Sequence, residues 1–508
     1  MKASRIVRAI LVSVLAAVAF GCGQQGLSGA SPSRDHHDSF VTEERLEAPA
    51  GKVGGVLSKV TASGCKVAFV VELAKDKWSV VVDGIQGETY DAIAQGTPVF
   101  SPNGKRMAYS ARKGNKWVVV VDGKPGPEHD SATDVLFSPD SRRVAYRAQS
   151  GDRCAIVVDG KTGPEHQSIG DETPIFSPDS KRVVYVAVEG DKMRVYLDGQ
   201  PHAEYAAIGK GSIVFSSDGQ HLAYVGITPT NQYVVVRDNQ SDHPYNGILK
   251  DSLVFSHDGK RLAYVAEEGK HCMMVVDGQA GPKYDAAHLP TFSPNGKQIA
   301  YHATKDAKAM AVVNGRPGPQ YDYVSQSGVV FSPDSRHFAY AAGKGVHGFA
   351  VLDGKEGPSF EQTGGLAFSA DGNHFAYKAR HNSKFVVVLD GQSGPEYDTI
   401  NIVPPLFSPN GNHLAYVVVN ANSTQMMVRD KQSGPTFDKI DDGSMLFSSD
   451  SGHLTYVAQK GDHSVVVLND RNSPEYDKIE CGPIFRSEGG VEFIALKDKT
   501  VYRVRLMP

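Results

Sequence analysis

The chain has 508 residues, a formal net charge of −4, 40% hydrophobic and 22% charged residues, with 52 glycines and 28 prolines. That length exceeds what one ordinary core serves, so several domains or a repeat array are expected, joined by many tight turns. A mildly acidic chain with dispersed charge has no electrostatic footprint for nucleic acid.

The N-terminus "MKASRIVRAILVSVLAAVAFGC" has a basic start at Lys2, Arg5 and Arg8, an apolar run from Ala9 to Phe20, and small residues before Cys22. This is the pattern of an export signal. The run is shorter than the roughly 20 residues a membrane-spanning helix needs, and no later segment approaches that length. "AFGC" resembles a bacterial lipobox, with Ala19 where that family usually has leucine. The resemblance implies that residues 1–21 are a lipoprotein-type signal peptide and that Cys22 is lipidated, holding the protein at a membrane by its acyl chains. An ordinary secreted protein and an uncleaved anchor are the alternatives. Gly23, rather than aspartate, follows Cys22; by resemblance to the enterobacterial sorting pattern this implies an outer-membrane lipoprotein facing the periplasm or the cell surface. Losing Lys2, Arg5 and Arg8 takes the net charge from −4 to −7. Residues 22–41 read as a flexible tether, in which His36 and His37 read as solvated rather than metal-binding.

From there a repeat dominates. The anchor Phe-Ser recurs at Phe100, Phe137, Phe176, Phe215, Phe255, Phe292, Phe331, Phe368, Phe407 and Phe447, at intervals of 37–40 residues. "VTASGCKVAF" at Val60 aligns without gaps on "FSPNGKRMAY" at Phe100, and "PIFRSEGGVEFIAL" places Phe485 in the anchor position, making twelve units. Such a period indicates a propeller or solenoid.

Each unit predicts four strands. Strand a is an apolar run ending at the anchor, such as "TPVF", whose lack of alternation suggests burial on both faces. A turn such as "SPNG" or "SPDS" leads to strand b, such as "RMAYSA", where a recurring small residue (Ala108, Ala145) lets neighbouring sheets approach. Strand c, "WVVVVDG", is rich in β-branched residues. Turn residues then lead to a short strand d with an aromatic at its end. No unit has a helical period.

The expected class is all-β, a β-propeller of twelve four-stranded units. "FSPDSRRVAY", "FSHDGKRLAY" and "FSPNGNHLAY" resemble the WD-like repeat of TolB-type and prolyl-oligopeptidase-type propellers, over nearly all of Val60 to Leu506. The resemblance implies fold but not function; TolB-type proteins also carry an N-terminal α/β domain that the tether is too short to contain. Twelve units exceed the usual four to eight or so blades. They are read as two consecutive six-bladed rings, 42–285 and 286–508, with one large ring as the alternative. The last unit lacks strand d. A strand in Thr42–Ala48 could close the first ring onto unit six, leaving "GPKYDAA" of unit six to close the second; in the single-ring alternative the same N-terminal strand closes the whole circle.

A residue that recurs in every unit is normally structural. The Asp-Gly pairs at Asp122, Asp159, Asp198, Asp277, Asp353 and Asp390 lack the ligand spacing of a calcium loop and read as hairpin turns. The residue entering strand b is Arg106, Arg143, Arg182, His221, Arg261, Gln298, His337, His374, His413 and His453 in successive units. Equivalent positions form a circle, so these residues could line a rim on one propeller face; pairing with an adjacent turn aspartate is the plainer reading. The aromatics of strand d, such as Tyr90, Tyr284 and Tyr397, read as packing between blades.

No G-x-S-x-G elbow, no H-E-x-x-H site and no tryptophan-rich quinone-docking motif is present, and the "SPDG"-like turns lack the tryptophan of a sialidase Asp box. No catalytic residue, metal site or cofactor is expected. Cys154 and Cys272 are too far apart for a bond, whereas Cys65 and Cys481 are neighbours only in a single ring. The function expected is a non-catalytic envelope lipoprotein binding a protein or peptide partner; an enzyme or small-ligand sensor with its site at a channel mouth is the alternative.

Overall fold

A computed structural model describes residues 40–46, 52–61, 64–82, 84–401, 403–487 and 489–508. The signal segment, nearly all of the tether and Cys22 lie outside the described residues. From Phe40 to Pro508 the chain forms one compact unit. It contains twelve antiparallel sheets and, among the described residues, no helix.

The fold is a β-propeller. The outer limits of the blades' strands are Lys52–Tyr90 for blade 1, Ala92–His129 for 2, Ser131–His166 for 3, Ser168–Tyr205 for 4, Ala207–Ser241 for 5 and Gly247–Tyr284 for 6. Blades 7 to 11 follow at Ala286–Pro317, Tyr323–Glu356, Gln362–Ser393, Thr399–Phe437 and Lys439–Asn472. Blade 12 combines Lys478–Leu506 with the N-terminal strand Val41–Leu46.

Strand a departs from the expectation. In blades 2, 4, 5, 6, 8 and 10 it is broken into two short pieces, such as Ala92–Ile93 and Val99–Phe100, both paired to strand b. Its residues face different neighbours: Val99, half-buried, packs toward blade 3, and Phe100, buried, toward blade 1.

Successive residues of strand b face opposite neighbours. Tyr109 packs against blade 1 beside Val80 and Tyr90, while Ala108 packs against blade 3 beside Ala132 and Tyr146. Alanine at this position is fully buried in blade after blade, which sets the close approach of the sheets. The strand d aromatics complete the same junctions: Tyr90 meets Tyr109 edge-on at 6.1 Å, and Tyr397 meets Tyr416 at 6.1 Å. They pack between blades, as expected.

Twelve such hydrophobic clusters, one per junction, run round the molecule without a break. The division into two six-bladed rings is therefore corrected to the single ring. At the proposed boundary, Ala263, Val265 and Met274 of blade 6 share a cluster with Ile299, Tyr301 and Val312 of blade 7. Gln279–Tyr284 remains the outer strand of blade 6 itself. Val41–Leu46 pairs instead along Val501–Leu506, closing blade 12. Blade 12 then packs on blade 1 through Ile494, Val501 and Cys481 against Cys65, Val67 and Phe69. The Cys65 thiol lies within hydrogen-bond reach of Cys481, which together with burial raises its pKa; all four described cysteines are free thiols.

Candidate binding rim

Strand b begins, and strand c ends, at the same end of every blade, so the a–b and c–d turns of all the blades share one face of the ring. The "FSPD" turn is built by its serine. In blade 3 the buried Ser138 hydroxyl donates to Asp140 Oδ1 at 2.6 Å and accepts the Arg143 N–H at 2.9 Å, while Asp140 Oδ1 also accepts the Arg142 N–H at 3.0 Å. The Ser138 hydroxyl, then the Arg142 amide, hold the Asp140 carboxyl below its ordinary pKa. The turn's Ser141 has φ 70°, a conformation that favours glycine. Serine is kept there because its hydroxyl accepts the Asn103 N–H of the preceding blade at 3.0 Å.

The Asp-Gly pair closes the c–d hairpin with both residues at positive φ, 51° at Asp122 and 78° at Gly123, as a type I′ turn requires. Its aspartate also holds the start of strand b. Asp122 Oδ1 accepts the first strand b amide, Met107 N–H, at 3.0 Å, and Oδ2 accepts Arg106 Nε–H at 2.8 Å. The predicted rim residues repeat this pairing within their own blades. Arg143 and Arg261 donate to Asp159 and Asp277 at 2.9 Å. His221, His337, His374 and His413 bring Nδ1 within 2.7 Å of Asp238, Asp353, Asp390 and Asp430. His453 meets Asn469 at 2.6 Å. Arg182 instead donates to the Gln220 carbonyl of blade 5 at 2.7 Å.

Arginine and histidine differ in reach. The Arg106 guanidinium lies 5.3 Å from the centre of the Phe137 ring in the next blade and donates to the Ser141 and Arg142 carbonyls there. Arg143 covers Phe176 at 5.4 Å and donates to Lys181 O at 2.6 Å; Arg261 covers Phe292 at 5.3 Å and donates to Lys297 O at 3.1 Å. Each arginine is thus a strap from one blade to the next anchor phenylalanine and turn. Histidine stops at the phenylalanine: His221 stacks on Phe255 and His413 on Phe447, with ring centres 6.4 and 6.5 Å apart. In those two blades a second arginine, at the end of strand c, supplies the strap. Arg237 lies over Phe255 at 5.6 Å and donates to Lys260 O, and Arg429 lies over Phe447 at 5.5 Å and donates to Gly452 O. These two arginines were absent from the predicted rim, although aligning the units on Asp-Gly places both immediately before the turn.

Between blades 9 and 10 the strap is missing. His374 stacks on Phe407 at 6.4 Å, but Leu389 stands where Arg237 and Arg429 stand in their blades. A cleft of about 680 Å³ opens there, lined by the His374–Asp390 and His413–Asp430 pairs, Leu389, Phe407, Gly411, Asn412 and Lys431 among others. Here the structure brings two predicted rim residues, His374 and His413, to a common cavity. Among the described residues no group of three or more His, Cys, Asp or Glu is placed to hold a metal ion, and no helix is long and apolar enough to cross a membrane.

No family model matches the chain, and no curated protein matches it in sequence. Solved structures similar to it include a eukaryotic initiation factor (14% identity, TM-score 0.35, 66% of this chain and 96% of that one). TolB from Acinetobacter baumannii is 16% identical, with a TM-score of 0.23 over 51% of this chain and 81% of that one. The β-propeller domain of the Trilobed protease from Pyrococcus furiosus is 13% identical, with a TM-score of 0.25 over 54% of this chain and 96% of that domain.

Proposed function

We propose that this chain is a non-catalytic lipoprotein of the cell envelope, anchored through Cys22, whose propeller binds a protein or peptide partner on the face carrying the arginine and histidine rim. The observation that carries the reading is the rim's asymmetry. The same position is strapped shut by arginine at six junctions, whereas a cleft opens between blades 9 and 10, which gives a rigid ring a place to receive a side chain. The N-terminal sequence supports the anchor.

In-cell crosslinking of the tagged protein, followed by purification and mass spectrometry, tests this reading, with Cys22→Ala as the unanchored control. A reproducible partner weakened in the control supports it; clean isolation without a partner turns attention elsewhere. A second reading, a small-ligand site on the channel side, rests on a cavity of about 180 Å³ between the innermost strands of blades 4 and 5, where Asp171, Glu172 and Lys210 meet apolar Ile175 and Ile208.

A further inference from the structure

We propose that the cleft between blades 9 and 10 binds the side chain of an arginine presented by a protein partner. This deepens the binding-scaffold reading and rests on it.

The argument comes from the ring's own repetition. At six junctions a guanidinium of this chain lies over the anchor phenylalanine of the next blade, at 5.3–5.8 Å from its centre: Arg106, Arg143, Arg182, Arg237, Arg261 and Arg429. All six also donate to carbonyls of the next blade's a–b turn. The components are an aromatic face, backbone acceptors and a nearby aspartate, which together suit a planar cation with five donors.

The cleft retains these components and lacks the arginine. Phe407 is the anchor ring; Gly411 and Asn412, whose counterparts Ser451 and Gly452 accept from Arg429, line the cavity. Asp390 occupies the place of Asp238 and Asp430, which lie 3.6 and 3.7 Å from the Nε atoms of Arg237 and Arg429. His374 does not take up the guanidinium position. The identical stacks of His221 on Phe255 and His413 on Phe447 coexist with an arginine over the same ring. Asp390 offers the cavity the carboxylate that Asp238 and Asp430 offer their own arginines, which favours a cation there.

The test is calorimetric titration of the chain with a capped Gly-Ser-Arg-Ser-Gly peptide and its citrulline and lysine analogues. Citrulline keeps the shape and loses the charge. The arginine peptide should bind at least about ten-fold more tightly than the citrulline peptide, with lysine between them. Leu389→Arg, which fills the slot as Arg429 does one blade later, should weaken arginine-peptide binding at least about ten-fold, whereas Leu389→Ala, which widens it, should leave binding intact. Equal binding of arginine and citrulline, unchanged binding by Leu389→Arg, equal losses in both Leu389 variants, or no binding at concentrations up to about 10 mM would each overturn the proposal. A crosslinked partner whose capture is unaffected by Leu389→Arg would leave the scaffold reading standing and remove this one.

Discussion

The junction between blades 3 and 4 and the junction between blades 9 and 10 are written with nearly the same repeat and behave differently at the surface. Both have the buried alanine, an aromatic pair across the junction and the turn aspartate holding strand b. The difference is one side chain. Arg143 spans the gap to Lys181 O, whereas the His374 ring ends on Phe407, and Leu389 offers no polar end. The core therefore sets the spacing of the blades, and the length of the rim residue decides whether the surface above that core is sealed.

Four measurements would break or sharpen this comparison. The largest effect lies in blade 7, where the partly covered His302 has its pKa pushed down to about 4 by burial and by neighbouring His288. A histidine whose folded pKa lies below its unfolded value stabilises the fold fully above about pH 6.5 and loses that contribution as pH falls toward 4, here up to about 3 kcal/mol. Denaturant midpoints at pH 7 and pH 5 should differ less in His302→Val, because valine occupies this strand b position in blades 4, 5, 6, 10 and 11. A difference that persists unchanged would assign the acid sensitivity to other groups.

Next, Ala145→Leu and Ala376→Leu place three extra carbons into fully buried sites on the two sides of the comparison. Each should cost about 2 kcal/mol by urea unfolding, and the two should agree, since cores this tight do not absorb a larger side chain. A much smaller loss at Ala376 would show that the cleft reaches the core. A smaller effect, about 1 kcal/mol, is expected for Arg143→His, which keeps a partner for Asp159 but removes the cation over Phe176 and the bond to Lys181 O. Last, Leu389→Arg should raise stability by about 0.5 kcal/mol, measured by thermal unfolding, because it restores a surface strap whose aspartate is already in place.

Much of the blade was legible in advance. The Phe-Ser anchor, the positive-φ Asp-Gly turn and the β-branched strand c are local instructions, and local instructions survive whatever the chain does elsewhere. The plain reading of the rim was right in kind, since nearly all its residues pair with an aspartate or asparagine of their own blade; the partner is the one that ends strand c. Its consequences were not legible, because Asp159 acts through a strand b amide 15 residues earlier and Arg143 through a carbonyl 38 residues later. The straps of Arg237 and Arg429 were visible only as an irregularity in an otherwise apolar column.

The amino-acid sequence by itself determined that the protein is a twelve-fold array of four-stranded blades, since each unit carries its own strands and turns and none can bury both faces alone. Only the tertiary structure decided that the array closes once. Blade 6 packs on blade 7 as tightly as on blade 5, and Val41–Leu46 finds its partner in Thr500–Leu506 across the whole length of the chain. It alone also decided where the rim is open, because a gap between two blades depends on whether a side chain from one is long enough to reach the other.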